Sequence, residues 1–332
     1  MTDRDAAKLA FLTQAGWQGE TIRSLAGDAS NRRYDRLTLG DRPVVLMDAP
    51  PETGERVAPF LSVARHLDGL GLHAPAILAA DEAQGFLLLE DLGDGLYARL
   101  FEADPEQQVP LYCEALAVLR SLHAGAPPPL PAYGAPEMAE AATLAPIWYA
   151  GSQDTAPLAA EMAAALAALD WSRSVPVLRD YHAENLIWCP DETGLRRVGL
   201  LDFQDAALGH PVYDVASLFY DARRDVPPEV VEALRCEVFG WFASDLPGFD
   251  HAVAVLTAQR ALRILGVFAR LSLHFDKPGY VDLIPRVWDQ LQHSLQHPSL
   301  GTLRSLVAET LPPPSAAHLD DLRARAGSCP TR

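Results

Sequence analysis

Two short acidic segments of the chain carry residue types that could transfer a phosphoryl group. The first, LRDYHAEN at 178–185, contains Asp180 and, five positions later, Asn185, and the second, LLDFQDA at 201–207, contains Asp202. Phosphoryl transfer needs a carboxylate that orients the attacking hydroxyl and accepts its proton, and oxygen ligands for a Mg²⁺ ion that bridges the nucleotide phosphates. The order of these residues therefore predicts Asp180 as the catalytic carboxylate, with Asn185 and Asp202 as the metal ligands.

This prediction depends on the two segments occurring in one chain. An Asp followed five residues later by an Asn is common in proteins, where both residues cap helices and stabilise turns. The second segment favours phosphotransfer, because it follows a predicted hairpin that can fold two oxygen donors toward one ion. Short strands are predicted here at 175–178, 185–189 and 198–202.

The segment before these motifs has the pattern of a small antiparallel sheet. Between residues 21 and 48, apolar stretches alternate with the turn sequences GDASN and LGD, which predicts three short strands. Apolar residues then recur at helical spacing from Val57 to Leu67, and two more strands are predicted at 76–80 and 86–89. We expect a first lobe of five strands and one helix at residues 1–92, and a mainly helical second lobe at 93–332.

The turn GDASNRRY at 27–34 has a composition that can hold phosphate groups. Its small residues let backbone N–H groups approach an anion, Ser30 can donate a hydrogen bond, and Arg32 or Arg33 can supply positive charge. A polar hairpin turn has the same composition, so this alternative stays open at the level of the sequence. The predicted phosphate-binding residues are Asp28, Ala29, Ser30, Asn31 and Arg33.

The composition excludes several other classes of protein. The 332 residues carry a formal net charge of −17, which argues against a nucleic-acid or anionic-membrane partner, because both attract positively charged surfaces. The four cysteines are far apart and form no CxxC pair, so neither a zinc site nor a disulfide framework is predicted. The charged N-terminus and the lack of a long uncharged apolar run predict a cytoplasmic protein without a membrane span.

Together, these segments resemble the aminoglycoside phosphotransferase and choline kinase superfamily over roughly residues 20–300. The resemblance implies an α+β, protein-kinase-like bilobal fold, with a small five-stranded antiparallel N-terminal lobe, a mainly helical C-terminal lobe, and ATP and Mg²⁺ as cofactors. In the HxDxxxxN catalytic loop of the superfamily, Asp180 and Asn185 match, whereas Leu178 stands where His is usual. Asp214 matches an aspartate that stabilises this loop, although a helix cap is an equally good interpretation.

The resemblance also implies where the nucleotide binds. The superfamily usually has a Lys on the third strand for the α- and β-phosphates, but the segment VVLMDAP places Met47 there. Arg33 could supply the missing charge, and Arg32 would then lie on the other face of the strand. The segment LLLEDLG at 87–93 corresponds to the junction where adenine bonds to backbone groups, which implicates Glu90, Asp91 and Leu92.

Several segments are more narrowly similar to the bacterial anomeric sugar kinases, which phosphorylate C1 of N-acetylmuramate and N-acetylglucosamine. They are GDASNRRY, LMDAPPE, LDFQDAALGHPVYDVASL, AQRALRILGVFARL and KPGYVDLIPRVW. The similarity implies an amino-sugar substrate and a role in peptidoglycan recycling. A pocket for such a sugar combines hydrogen-bonding groups with an aromatic wall. The candidates are His182, Glu184, Asp205, Trp148, Tyr149 and Arg260.

Two other functions remain open. A kinase of an aminoglycoside or another small alcohol would use the same chemistry, and the acidity of the chain does not exclude a polycationic substrate. A kinase-fold protein that binds ligands without turnover is the third possibility, motivated by Met47 and Leu178. The complete set of catalytic and metal-binding residue types argues against it, because a binding protein needs no proton acceptor. A monomer is the expected state of assembly.

Overall fold

The computed structural model of the chain describes residues 3–17, 22–25, 31–39, 42–239 and 246–329. Its strands are β1 Ile22–Ser24, β2 Arg33–Leu39, β3 Arg42–Asp48, β4 Ile77–Asp81, β5 Phe86–Glu90, β6 Val175–Val177, β7 Leu186–Trp188, β8 Val198–Leu200 and β9 Ala207–Gly209. Its helices are α1 Asp3–Gln14, α2 Ala58–Gly69, α3 Tyr97–Ala103, α4 Gln108–Ala124, α5 Ala135–Ala142, α6 Ala156–Ala167, α7 Tyr213–Phe219, α8 Pro228–Phe239, α9 Leu246–Leu273, α10 Ile284–Ser294, α11 Gly301–Thr310 and α12 Ala316–Ala324.

The contacts within the chain group its residues into two compact units. The first contains Met1–Pro128 and Ala183–Ala206, and the second contains Pro129–His182 and Ala207–Arg332. The first unit therefore holds α3, α4 and the β7–β8 hairpin in addition to the sheet predicted for residues 1–92. The lobe boundary at residue 92 stays a prediction.

The predicted five-stranded antiparallel sheet is confirmed in the first unit. Its strands lie in the order β1-β2-β3-β5-β4, and all neighbours are antiparallel. Tyr34 lies opposite Met47, which lies opposite Leu87, so these three side chains share one face of the sheet. Asp35 and Leu46 are opposite each other on the other face.

Helix α1 covers the face of the sheet that contains Asp35 and Leu46. It buries Phe11 and Leu12 in a cluster with Leu37, Val44, Leu46, Phe86 and Leu88. Arg4 donates to Asp48 with its Nε at 3.0 Å, and one turn later Lys8 Nζ donates to Asp35 at 2.8 Å. The sequence pattern predicts only α2 for this part of the chain, and α1 is an addition that the structure makes.

The second unit is mainly helical, as the sequence predicts, and α9 is its longest helix. The segment Gly248–Leu273 has the length and mean hydropathy of a membrane span, but 78% of its apolar window is buried inside the protein. Such burial is typical of the core helix of a helical bundle.

The backbone of Leu144 approaches α9 closely, and this contact positions the turn of π-helix that follows it at Ala145–Tyr149. A Cβ atom on Gly266 would lie 2.2 Å from the carbonyl carbon of Leu144 and 2.3 Å from its oxygen. Only glycine permits this contact, because real Cβ atoms do not approach backbone atoms so closely. Turns of π-helix occur frequently at functional sites.

Replacing Gly266 by Ala is expected to lower the free energy of unfolding by about 1–3 kcal/mol, since the added methyl meets backbone atoms that cannot rotate away. Urea denaturation followed by circular dichroism measures the change. Gly279→Ala is the matched control, because a Cβ atom at Gly279 meets nothing within 4 Å. Equal unfolding midpoints for the two variants would contradict the proposed packing.

Candidate active site

The catalytic aspartate predicted from the sequence, Asp180, lies after β6 in the second unit and forms an ion pair. Arg263 on α9 donates from its Nη2 atom to Asp180 Oδ1 at 3.0 Å, and 33% of the Asp180 side chain is exposed. Burial alone would raise the pKa of this carboxyl, but the electrostatic influence of Arg263, His182 and Arg260 outweighs it and lowers the pKa. The carboxylate is therefore ionised at neutral pH and can accept a hydrogen bond from a hydroxyl group.

The backbone of the loop around Asp180 is held by two buried side chains. The carboxylate of Asp214, which is fully buried in α7, accepts the N–H groups of Leu178 at 2.6 Å and Arg179 at 2.9 Å. Arg260 donates to the carbonyl oxygen of Arg179 at 2.9 Å. Arg179 has a φ of 72°, a conformation that residues other than glycine rarely adopt unless neighbouring contacts hold it. Of the two interpretations of Asp214, the structure shows the loop buttress.

Burial raises the pKa of Asp214 from 3.8 to about 6, although its two N–H donors act in the opposite direction. A group with a raised pKa in the folded state binds its proton more tightly there than in the unfolded chain. Its contribution to stability therefore falls as pH rises from about 4 to 6, by a total on the order of 3 kcal/mol.

Asp214→Asn should remove this pH dependence, because the amide does not ionise. As pH rises from about 4 to 6, the unfolding free energy of the wild type is expected to fall relative to that of Asp214→Asn. The same substitution should lower activity, because one amide oxygen cannot replace two carboxylate oxygens at the loop. Urea unfolding at several pH values tests the first point, with the exposed Asp191→Asn as the control. Parallel pH profiles for wild type and Asp214→Asn would exclude this role.

The two predicted metal ligands, Asn185 and Asp202, lie in the β7–β8 hairpin of the first unit. Leu201 donates its N–H to the carbonyl of Asn185 at 3.0 Å, which places Asn185 beside Asp202 across the hairpin. Asp202 has a φ of 54°, and Gln204 Nε2 donates to Asp202 Oδ1 at 2.7 Å. An amide oxygen and a carboxylate are hard donors of the kind that Mg²⁺ binds, so this pair fits the ion that the resemblance implies.

An arginine beside β2 is surrounded by acidic and phenolic groups of the first unit. Arg32 Nε lies 2.8 Å from Glu55 Oε2, and the N–H of Asn31 donates to Glu55 Oε1 at 3.2 Å. Burial lowers the pKa of Arg32, but Tyr34, Glu55 and Asp205 raise it, and the net effect is an increase. Burial also raises the pKa of Tyr34 to about 12, where Arg32 opposes the increase and the carboxylate of Asp202 adds to it. Arg32 is therefore a fixed cation close to the metal-ligand hairpin.

The sheet register decides which of the two arginines shares a face with Met47. Arg33 lies opposite Asp48, on the face that α1 covers. Arg32 precedes it by one residue and follows the alternation of Tyr34, on the face of Met47. The side chain of Met47 is 1% exposed. Arg32 therefore shares the sheet face of Met47, and Arg33 lies on the opposite face. A role for Arg33 in phosphate binding stays a prediction. The predicted phosphate-binding residues Asp28, Ala29 and Ser30 lie outside the described residues.

The segment predicted to meet adenine uses its acidic side chains within the protein. The Glu90 carboxylate accepts the N–H of Ala76 at 3.0 Å and lies 3.5 Å from His73 Nε2. Asp91 forms an ion pair with Arg36 at 2.6 Å. Among the described residues, the donor to the carbonyl of Leu92 is the weak S–H group of Cys189, at 3.8 Å. Any contact of this segment with a base would therefore come from backbone groups.

The polar sugar candidates are distributed over both units. His182 belongs to the second unit, where it lowers the pKa of Asp180. Glu184 is exposed on the 3₁₀ turn Ala183–Asn185 of the first unit. Asp205 is exposed in the first unit, close enough to Arg32 to raise its pKa.

Two of the other sugar candidates are buried and bonded to the protein. Tyr149 is 1% exposed and donates its hydroxyl to the carbonyl of Pro312 at 2.8 Å. Arg260 is 3% exposed and holds the loop at Arg179. These contacts give both residues a structural role, and their contact with substrate stays a prediction. Trp148 is partly exposed, and its ring lies 6.1 Å from that of His274.

Three residues near these groups are absent from the site predicted from the sequence. Arg263 is 83 positions away from Asp180 in the chain, and its only sequence signal is the spacing of three from Arg260 on one helix. Gln204 follows Asp202 by two positions, and Tyr34 ends the motif GDASNRRY. Their contacts depend on the tertiary fold.

A five-stranded antiparallel sheet followed by a mainly helical second unit is the architecture expected of a phosphotransferase of the protein-kinase-like type. The family model described as "Phosphotransferase enzyme family" matches residues 21–247. The chain belongs to this family.

The chain is also similar to named relatives along most of its length. It is 38% identical to the N-acetylmuramate/N-acetylglucosamine kinase of Caulobacter vibrioides, over 92% of this chain and 96% of that protein. It is 36% identical to the kinase of the same name from Pseudomonas aeruginosa, over 85% of this chain and 86% of that protein.

Solved structures confirm the fold. A choline/ethanolamine kinase family protein from Mesorhizobium loti superposes with a TM-score of 0.63 at 17% identity, covering 96% of this chain and 99% of that one. The streptomycin–ATP–APH(2″)-IIa ternary complex has a TM-score of 0.56 at 15% identity, covering 80% and 91%. The second structure shows a protein of this fold with ATP bound.

Proposed function

We propose that this chain is an ATP-dependent kinase that phosphorylates the anomeric hydroxyl of N-acetylmuramate, N-acetylglucosamine or both. The main support for this reaction is the environment of Asp180. Its ionised carboxylate is paired with Arg263, and Asp214 and Arg260 hold the backbone of its loop. The identities of 38% and 36% to two N-acetylmuramate/N-acetylglucosamine kinases support the choice of substrate.

In the proposed reaction, Asp180 accepts a hydrogen bond from the C1 hydroxyl and takes its proton as the oxygen attacks the γ-phosphorus of ATP. The new P–O bond forms as the bond from the γ-phosphorus to its bridging oxygen breaks, and ADP leaves. Arg263 keeps the carboxylate in place and ionised. A Mg²⁺ ion held by Asn185 and Asp202 would neutralise charge on the phosphates.

The first unit would bind the nucleotide through its backbone and one arginine. Arg32 is the cation that we assign to the phosphates, because it shares the sheet face of Met47. The segment from Glu90 to Leu92 would meet the adenine through backbone groups. Roles for Asp28, Ala29 and Ser30 in phosphate binding stay predictions.

The proposal places this activity in the cytoplasm, in the recycling of peptidoglycan sugars, and in a monomer. Its product is a sugar 1-phosphate, which a nucleotidyl transferase could convert to a UDP-sugar. The net charge of −17 suits a small-molecule substrate better than a nucleic acid or an anionic membrane.

³¹P NMR of the purified protein with Mg·ATP tests the proposal directly, because it reports both the acceptor and the bond formed. The panel contains N-acetylmuramate, N-acetylglucosamine, glucose, choline and kanamycin. An anomeric phosphate on either N-acetylated sugar is expected. Phosphorylation of choline or kanamycin alone would keep the reaction and overturn the substrate, and no transfer to any acceptor would favour a binding protein.

A further inference from the structure

One face of α9 carries two arginines, Arg263 and Arg270, and within the described residues only Arg263 forms an ion pair. Arg263, Gly266 and Arg270 are spaced by three and four residues, which places them along one side of the helix. Arg263 and Arg270 are about 10 Å apart along the helix axis. Arg263 bonds to Asp180 at 3.0 Å.

Arg270 has no such partner within the part of the chain that the structure describes. No carboxylate lies within ion-pair distance of it there, and its Nε atom is buried without a hydrogen bond. Burial and, after it, the neighbouring charge of Arg263 lower the pKa of Arg270. A partly buried guanidinium is normally paired, because removing it from water is costly. Its environment therefore favours the binding of an anion.

The surroundings of Arg270 also suit a sugar. The close approach of Leu144 to Gly266 brings the π-helical turn Ala145–Tyr149 onto this face of α9. From this turn, the partly exposed Trp148 contacts His274, which lies one helical turn beyond Arg270. An aromatic ring about one helical turn from Arg270, on the helix whose Arg263 bonds to Asp180, matches the composition of a site for an acidic sugar.

We propose that Arg270 binds the carboxylate of the sugar substrate, with Arg263 adding to the positive field. Of the two substrates under the proposed function, on which this inference rests, N-acetylmuramate carries a lactyl carboxylate on its C3 oxygen, whereas N-acetylglucosamine has a hydroxyl there. Arg270 therefore determines specificity for the acidic sugar. A guanidinium suits this role, because it can donate two parallel hydrogen bonds to one carboxylate.

The test compares Arg270→Met with the wild type on both sugars, since methionine keeps much of the stem and removes the charge. We expect kcat/KM for N-acetylmuramate to fall about 10- to 100-fold further than kcat/KM for N-acetylglucosamine, with most of the change in KM. Arg270→Lys should restore part of the difference, because it restores the charge without the two parallel donors. Arg304→Met, at an exposed position of α11, is the matched control and should leave the ratio of the two sugars unchanged.

Equal losses on both sugars would overturn the inference and give Arg270 a structural role. A rise in KM for ATP, without a change in the sugar ratio, would also overturn it. Calorimetric titration of N-acetylmuramate into the same proteins separates this inference from the proposed reaction. If the wild type binds N-acetylmuramate and Arg270→Met does not, the subsite is supported even in a wild type without turnover. If the wild type does not bind N-acetylmuramate, the inference is overturned, while phosphorylation of N-acetylglucosamine is still decided by ³¹P NMR.

Discussion

Asp180→Asn is expected to lower kcat by about two to four orders of magnitude, because it removes the proton acceptor from the attacking hydroxyl. Asparagine has nearly the same volume, and its amide oxygen can still accept the hydrogen bond of Arg263. The fold, the thermal midpoint and KM for ATP should therefore change little. A coupled assay of ADP release measures kcat and KM with the sugar that ³¹P NMR identifies.

The control for this variant is Asp289→Asn, which neutralises an exposed carboxylate on α10. It should retain the activity of the wild type. If Asp180→Asn also kept kcat within about threefold, Asp180 would not be the proton acceptor, and the phosphotransfer assignment would lose its main support. A large fall in the thermal midpoint would instead indicate that the ion pair with Arg263 stabilises the fold.

The elements near the motifs could be predicted from the sequence because their signals are local. The five strands predicted with individual bounds all occur within two residues of those bounds, including 76–80, found as Ile77–Asp81, and 198–202, found as Val198–Leu200. Turn residues and the alternation of apolar side chains need no knowledge of distant contacts. Helix α1 gives a weaker signal, because its polar residues Arg4 and Lys8 bind carboxylates on strands far along the chain.

The site residues that the sequence misses depend on tertiary contacts. The choice between Arg32 and Arg33 follows from the pairing of β2 with β3, since a shift of one residue reverses the faces. Arg263 looks like one residue of a basic helix face until α9 is placed beside the loop of Asp180. Tyr149 is of a residue type that is common in sugar-binding pockets, but the fold buries it and bonds its hydroxyl to the carbonyl of Pro312.

The catalytic loop shows how a departure from the family pattern is accommodated. Leu178 replaces the usual histidine and is 3% exposed, so it packs in the core instead of bonding to the loop. Asp214 binds the N–H groups of Leu178 and Arg179, and Arg260 binds the Arg179 carbonyl. These bonds fix the backbone before Asp180 without a histidine. The substitution at Leu178 therefore carries little weight in favour of an inactive binding protein.

Asp202→Ala is expected to abolish Mg²⁺-dependent activity. Losing a charged ligand should remove several kcal/mol of transition-state stabilisation, or about three orders of magnitude in rate. Alanine also tolerates the φ of 54° at this position less well than aspartate does, so a second variant is needed. Asp202→Asn keeps the tolerance for this conformation and an oxygen that can accept the bond from Gln204, and it removes only the charge.

Activity titrated against Mg²⁺ separates the two effects of these substitutions. If Asp202 holds the ion, Asp202→Asn should require far more Mg²⁺ while keeping the thermal midpoint of the wild type, and Asp202→Ala should stay inactive at all concentrations. The control Asp191→Ala removes an exposed carboxylate from the turn of the same hairpin and should titrate as the wild type does. An unchanged Mg²⁺ requirement in Asp202→Asn would assign the metal to other oxygen donors, and Asp205 would be the next residue to substitute, because it follows Asp202 by three positions in the same acidic segment.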